Sequence, residues 1–228
     1  MVKRFLNYFT LTEKLLWLCS VIAIITVFVI FDKESFLSLG ASLIGVTSLI
    51  FCAKGNPVGQ ILMIIFSMIY GVISFSFAYY GEMLTYICMT MPMSVYALIC
   101  WLKNPYENKK SEVKISSIGK KDLVILLIST VVVTVIFYFV LSAFNTANIF
   151  PSTFSVTTSY VAVYLTARRS PFFALAYAAN DVVLIVLWTL ATIENSTYIS
   201  VVVCFAVFLI NDLYGFINWN RMKKRQMK

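Results

Sequence analysis

Two acidic residues in otherwise apolar stretches, Asp181 and Asp212, are the side chains of this chain best placed to hold a ligand. Tyr177, Asp181 and Trp188 are four and seven positions apart, which puts them on one face of a helix; Asp212, Gly215 and Trp219 are arranged alike. A carboxylate between aromatic rings suits an aromatic or cationic ligand, held by stacking, cation–π attraction and hydrogen bonds. An acid in the middle of a lipid-spanning helix costs on the order of 3 kcal/mol to insert, so it faces a cavity or a partner. Asp181 lies deep in its apolar segment and reads as functional. Asp212 stands nearer the basic C-terminal residues, where it either serves the same site or pairs near the interface. Asn180, Asn211 and Asn218 line a polar path or bond between helices. Trp101, Trp188 and Trp219 supply ring faces or anchor the interface. Glu82 is expected at the outer edge of its span, where its side chain snorkels.

Other chemistries lack their residues. The chain has no histidine, the commonest general base and metal ligand. Its five cysteines, Cys19, Cys52, Cys88, Cys100 and Cys204, sit inside apolar runs at no metal-ligand spacing and read as packing residues. No glycine loop that could cradle a phosphate is present, nor any nucleophile–base pair. Neither a cofactor nor a metal is expected, and the chain is not expected to be an enzyme.

The elements that must position Asp181 are set by hydropathy. Of 228 residues 61% are hydrophobic and 12% charged, with mean hydropathy +0.88, too little charge to cover a water-soluble surface. Residues 15–31, 35–53, 55–81, 83–102 and 123–167 contain no Asp, Glu, Lys or Arg. A helix crossing about 30 Å of hydrocarbon needs roughly 20 apolar residues, so 123–167 divides in two at the polar, proline-containing Asn145–Thr153. The result is an all-α integral membrane protein with about eight helices, near 13–31, 36–53, 58–80, 83–102, 122–144, 150–167, 171–192 and 197–219. Lys3 and Arg4 before the first run resemble a signal peptide, but Phe31–Asp32–Lys33–Glu34 lacks the small residues of a cleavage site, so the first helix is expected to be retained.

Every basic residue except Lys33 then falls on one side of the membrane. Basic loops stay cytoplasmic, so both termini are expected inside, in a multi-pass protein of the cytoplasmic membrane. The net charge of +8 is an orientation signal rather than a nucleic-acid patch. The 103–121 loop reads as a plain cytoplasmic connector that touches anionic headgroups.

An internal repeat is visible at an offset of 118 positions. Tyr96, Ala97 and Trp101 fall on Tyr214, Gly215 and Trp219; Tyr70 falls on Trp188 and Ser94 on Asp212. Helices two to four and six to eight read as parallel three-helix copies with the fifth as linker. The divisions are an N-terminal helix (1–35), a first repeat (36–102), a loop and linker helix (103–148), a second repeat (149–220) and a basic tail (221–228).

Tyr80–Gly81–Glu82–Met83, Pro92–Met93 and Trp101, with Tyr70 ahead of them, resemble the PnuC family, whose members take up nicotinamide riboside and related vitamin precursors. Leu165 with Arg169, and Tyr214–Gly215 with Trp219, resemble its closing pattern, so the likeness covers about 40–102 and 155–222. The resemblance implies a 3+1+3 helix arrangement like that of the SWEET sugar carriers, a homotrimer, and facilitated diffusion with the substrate trapped by a separate kinase. The family's Trp-x-x-Trp-x-x-x-Asn/Asp motif falls on Ala174, Tyr177 and Asp181. Its Gln after Pro-Met is Ser94 here, and its Asn after Gly-Glu-Met is Tyr86. The implied substrate contacts are Asp181, Tyr177, Trp188, Tyr70, Ser94, Tyr86, Asn180 and Asp212.

The expected function is import of a vitamin precursor, nicotinamide riboside first, by alternating access. Thiamine, riboflavin or a nucleoside are alternative cargoes because the departures fall at substrate positions. A membrane receptor that binds without transport is the rival of another class.

Overall fold

Thr10 opens the first helix, α1 (Leu11–Phe31), with a capping box: its hydroxyl accepts the Glu13 N–H at 3.3 Å and its own N–H reaches the Glu13 carboxylate at 2.7 Å. The computed structural model describes residues 8–33, 35–76, 80–107, 109–146, 148–193 and 196–227. Lys3, Arg4, Glu34 and Lys228, used above for charge and cleavage, lie outside them, and so does the C-terminal end of the helix expected at 58–80. After α1 come α2 (Phe36–Ala53) and α3 (Val58–Ser76). The next helix, α4, runs through Tyr80–Leu84, a π-helical turn Thr85–Thr90 and Met91–Leu102. Then come α5 (Lys120–Ala143), α6 (Ile149–Ala167), α7 (Phe172–Thr192) and α8 (Ile199–Gln226).

Among the described residues seven helices are long and apolar enough to cross a membrane. The exception is α6. Its 19 residues reach about 28 Å at a rise of about 1.5 Å each, but serine and threonine lower its hydropathy. It lies between α5, α4 and α7, with Ser155 and Ser159 buried.

The π turn in α4 has a local cause. Pro92 has no N–H to give the carbonyl four residues back, and its ring crowds that carbonyl. The ladder widens just before it: the Met91 N–H bonds Tyr86 O, and the Thr90 hydroxyl donates to Thr85 O at 3.2 Å.

The turns after α2 and α6 close in the same way. Gly55 and Arg169 are left-handed, at φ 64° and 58°. Gly55 N bonds Cys52 O and Asn56 N bonds Phe51 O; Arg169 N bonds Thr166 O and Ser170 N bonds Leu165 O. Proline follows in both, as Pro57 and Pro171.

The close approach of α2 and α3 depends on Gly59. A Cβ there would lie 2.7 Å from the Cys52 backbone nitrogen and 3.0 Å from Ser48 O, which leaves no flexible group to yield. Gly59→Ala is expected to cost on the order of 1–3 kcal/mol, read as a lower unfolding temperature in detergent. Gly40→Ala, with nothing within 4 Å of the added carbon, should leave it unchanged.

The 103–121 loop is not a plain connector. Pro105–Tyr106 and Lys109–Val113 form a two-stranded antiparallel ribbon, and Val113 is fully buried. An apolar residue every few positions, Val113, Ile115 and Ile118, docks the segment on the core. The residues expected to form a separate basic tail instead continue α8, where Lys223, Lys224 and Arg225 suit the negative end of the helix dipole. Ion pairs Arg168–Asp122, Arg225–Glu112 and Lys54–Glu13 gather at this basic end of the bundle.

Candidate functional site

Helices α2 to α8 enclose a cavity of about 90 Å³, lined among others by Glu82, Tyr86, Tyr177, Asn180, Asp181 and Asp212. The lining holds three carboxyl side chains and no lysine or arginine. Asp181 and Asp212 are both buried, and their side chains come within hydrogen-bonding reach of one another. The second oxygen of Asp181, Oδ2, is buried without any hydrogen-bond partner. A buried polar oxygen left unpaired costs about 1–3 kcal/mol, and more when charged, so its place beside free volume marks where a ligand gains most. Asp212 makes no ion pair with the basic end among the described residues.

One wall is polar. The hydroxyls of Ser155, Thr158 and Ser159 on α6 donate to Asn180 Oδ1 on α7, at 3.4, 2.8 and 3.1 Å. With its oxygen occupied, Asn180 has its amide N–H groups left for the cavity. The opposite wall is aromatic. Tyr86 sits 5.9 Å from Phe66 and 5.1 Å from Tyr70, centroid to centroid, and Phe66 lines the cavity with it. Thr85 and Thr90 of the π turn complete this side.

The floor, toward the basic end, is a stack of rings. Tyr177 meets Phe173 edge-on at 6.2 Å; Phe173 meets Trp219 at 4.7 Å, and Trp219 meets Trp101 at 5.4 Å. Trp101 and Trp219 are completely buried, not interfacial anchors. Each indole N–H donates to a backbone carbonyl, Trp101 to Thr166 O at 2.9 Å and Trp219 to Cys52 O at 2.8 Å.

The cavity thus brings together Tyr86, Tyr177, Asn180, Asp181 and Asp212. Tyr70, Trp188 and Ser94 are buried but do not line it. Tyr70 stands behind Phe66 and Tyr86, and Trp188 packs against Tyr198 at 5.2 Å, two turns from Asp181 on the same helix. Asn218 bonds Ala53 O and Asn211 bonds Ser20 Oγ, so both tie helices together. Ala174 is fully buried against Gly215. Glu82 begins its span, as expected, but its side chain does not snorkel outward: it lines the cavity and its carboxyl bonds Ser74. The spacing of Ser152, Ser155 and Ser159 along one helical face was a legible signal for the polar wall that composition alone does not give.

Residues 35–221 match the family model described as "Nicotinamide mononucleotide transporter". The chain is similar to the nicotinamide riboside transporter PnuC of Neisseria mucosa, with 26% identity over 214 residues, 92% of this chain and 81% of that protein. It is also similar to the nicotinamide riboside transporter PnuC of Haemophilus influenzae, 22% identical over 193 residues, 84% of this chain and 82% of that protein. The crystal structure of the vitamin B3 transporter PnuC has the same fold, with a TM-score of 0.82 and 24% identity over 96% of this chain and 94% of that one.

Proposed function

The chain belongs to the nicotinamide mononucleotide transporter family, and on that premise we propose that it imports nicotinamide riboside by facilitated diffusion with alternating access. The observation that carries the reading is the unpartnered Asp181 Oδ2, set in a cavity with Asp212 and Glu82 and no basic residue. Nicotinamide riboside carries a fixed pyridinium charge, which this lining attracts. The mononucleotide adds a phosphate, a buried charge that no lysine or arginine of the lining receives. Tyr177, Tyr86 and Phe66 offer ring faces to the pyridinium, while Asn180 and its serine neighbours suit the sugar hydroxyls or the carboxamide. Tyr70 supports this first layer from behind, through Phe66 and Tyr86.

Thiamine, also a fixed aromatic cation, is the second reading that the carboxyl-lined cavity favours; riboflavin and neutral nucleosides carry no positive charge for it to hold. Uptake of labelled nicotinamide riboside, thiamine, riboflavin and nicotinamide mononucleotide into proteoliposomes tests the order. Fastest uptake is expected for the riboside and least for the mononucleotide. Riboflavin uptake without riboside uptake would overturn the assignment. Binding without flux would mean a receptor, and a chemically altered ligand an enzyme.

The architecture is read as two parallel three-helix units, α2–α4 and α6–α8, joined by α5 in a 3+1+3 order, with α1 added. The matching turns at Gly55 and Arg169 support it. So does the reciprocity of the tryptophans: Trp101 of the first unit bonds the second at Thr166, three residues before Arg169, and Trp219 returns the bond at Cys52, three before Gly55. The basic end is read as cytoplasmic, with both termini there. The cavity of about 90 Å³ is well below the roughly 300–1,000 Å³ of occupied ligand sites, so the substrate enters a site that must widen. The homotrimer implied by the family resemblance has a surface available in α5, most of whose large apolar residues face outward. A mass of three copies in detergent is the expected result.

A further inference from the structure

The linker strap and the tryptophan pair meet at the basic end in a pattern that repeats across the two units. Val113 N donates to Gly55 O at 2.9 Å, and Ser116 N donates to Arg169 O at 3.0 Å. These two acceptors are the left-handed residues that end α2 and α6. The strap therefore holds corresponding points of both units. Three residues of chain separate its two anchors, and a fully extended chain spans at most about 3.6 Å per residue, near 11 Å here. The units cannot part at this end much beyond that while both anchors hold.

The two anchors are unequal. The strap is fastened further to α8, where Gln226 Oε1 accepts the Ile115 N–H at 2.8 Å and Gln226 Nε2 donates to Val113 O at 3.1 Å. On the side of the first unit the described backbone contacts are the bond at Gly55 and, just past the end of α4, Lys114 N to Asn104 O at 2.8 Å; only the first reaches α2. The Gly55 bond is backed by the Val113 side chain, packed with Met222 against the Cα of Gly55, where a Cβ would lie 3.1 Å from Val113 and 3.0 Å from Met222. Directly above lies the Trp219–Cys52 bond, then Trp101, Phe173 and Tyr177, the floor of the cavity.

We propose that this assembly is the inner gate of the carrier: Trp101 and Trp219 close the path below Tyr177, and the strap, moving with the second unit, latches it at Gly55. The inference rests on the alternating-access reading. In an inward opening the Val113–Gly55 and Trp219–Cys52 contacts break together, because the strap and Trp219 both belong with α8 and both acceptors end α2. The Ser116–Arg169 and Gln226 bonds persist.

Cys52, whose carbonyl takes the Trp219 bond and whose buried thiol accepts from Gln60 at 3.3 Å in the same core cluster, is a native reporter of that opening. The experiment treats the full chain, in vesicles that expose the basic end, with a membrane-impermeant maleimide in the absence of substrate. Modification of Cys52 is read by peptide mass spectrometry, with buried Cys204 as reference. Trp219→Phe keeps a ring but removes the donor, Val113→Ala weakens the latch, and Gln226→Ala frees the strap from α8. Each is expected to raise the Cys52 rate about three- to tenfold, the worth of a typical hydrogen bond, with Cys204 unchanged. Wild-type rates at Cys52 in folded variants would overturn the gate. Should Trp219→Phe fail to fold, Gln226→Ala and Val113→Ala decide alone. Equal gains at Cys52 and Cys204 would mean general loosening, which also overturns it. Absence of riboside flux with the Cys52 response intact would remove the proposed cargo and leave the gate standing.

Discussion

Asp181→Ala is expected to lower nicotinamide riboside uptake about ten- to a hundredfold, the largest functional effect of any single change in the cavity. The carboxyl's free oxygen has no protein partner, so the substitution removes the contact open to substrate; it also removes the contact with Asp212, whose cost the unfolding temperature reports. A charge-assisted contact is worth about 1.5–3 kcal/mol, and each 1.4 kcal/mol is tenfold. Asp181→Asn keeps the shape and loses the charge, and should fall between the two. The check is initial uptake rate against substrate concentration in proteoliposomes, with unfolding temperature measured alongside. Full uptake by folded Asp181→Ala would remove this residue from the site.

The largest effect on stability is expected at the other end of the molecule, for Glu13→Ala. Glu13 is almost completely buried and paired with Lys54 at 3.0 Å, accepts the Tyr214 hydroxyl at 3.1 Å and caps its own helix at Thr10. Removing one partner of a buried pair leaves the other charge uncompensated, at a cost of about 3–5 kcal/mol. Lys54 is poised over the Tyr8 ring at 4.7 Å, a contact that softens its loss of Glu13 only in part. Lys54→Ala should be nearly as costly, and the double variant should recover a fraction. Glu107→Ala, whose pair with Lys109 is exposed on both sides, should change stability by less than about 1 kcal/mol. Denaturant titration in detergent distinguishes these. A Glu13→Ala variant as stable as Glu107→Ala would show that α1 is not fastened by this pair.

Much of this fold could be read from charge alone, because lipid tolerates so few charged residues that the gaps between them outline the helices. The first, second, fourth, fifth, sixth and seventh helices begin and end within a few residues of expectation. What the sequence did not disclose follows from interactions that hydropathy does not encode. Val113 is one apolar residue among lysines, and only its burial against Gly55 shows the linker to be structural. Trp101 and Trp219 near helix ends look like anchors until their indole N–H groups are seen to reach across the bundle.

The site was partly legible for the same reason. Asp181, Tyr177 and Asn180 could be placed by helical spacing around an acid too costly to bury idly. Glu82 could not, since its depth depends on how α4 packs around the Pro92 distortion, and it turns inward to Ser74. Trp188 shares a helical face with Asp181 but lies two turns along it, beyond the cavity. Spacing gives direction around a helix axis, whereas the depth of a cavity is set by neighbours.

The central claim is passive carriage of a cation through a carboxyl-lined site, and transported charge tests it most directly. Reconstituted protein on a capacitive membrane should give a current on addition of nicotinamide riboside, one net positive charge per molecule moved, in the direction of its gradient. Riboside flux without current would mean an exchanged or co-transported ion, and would contradict the account.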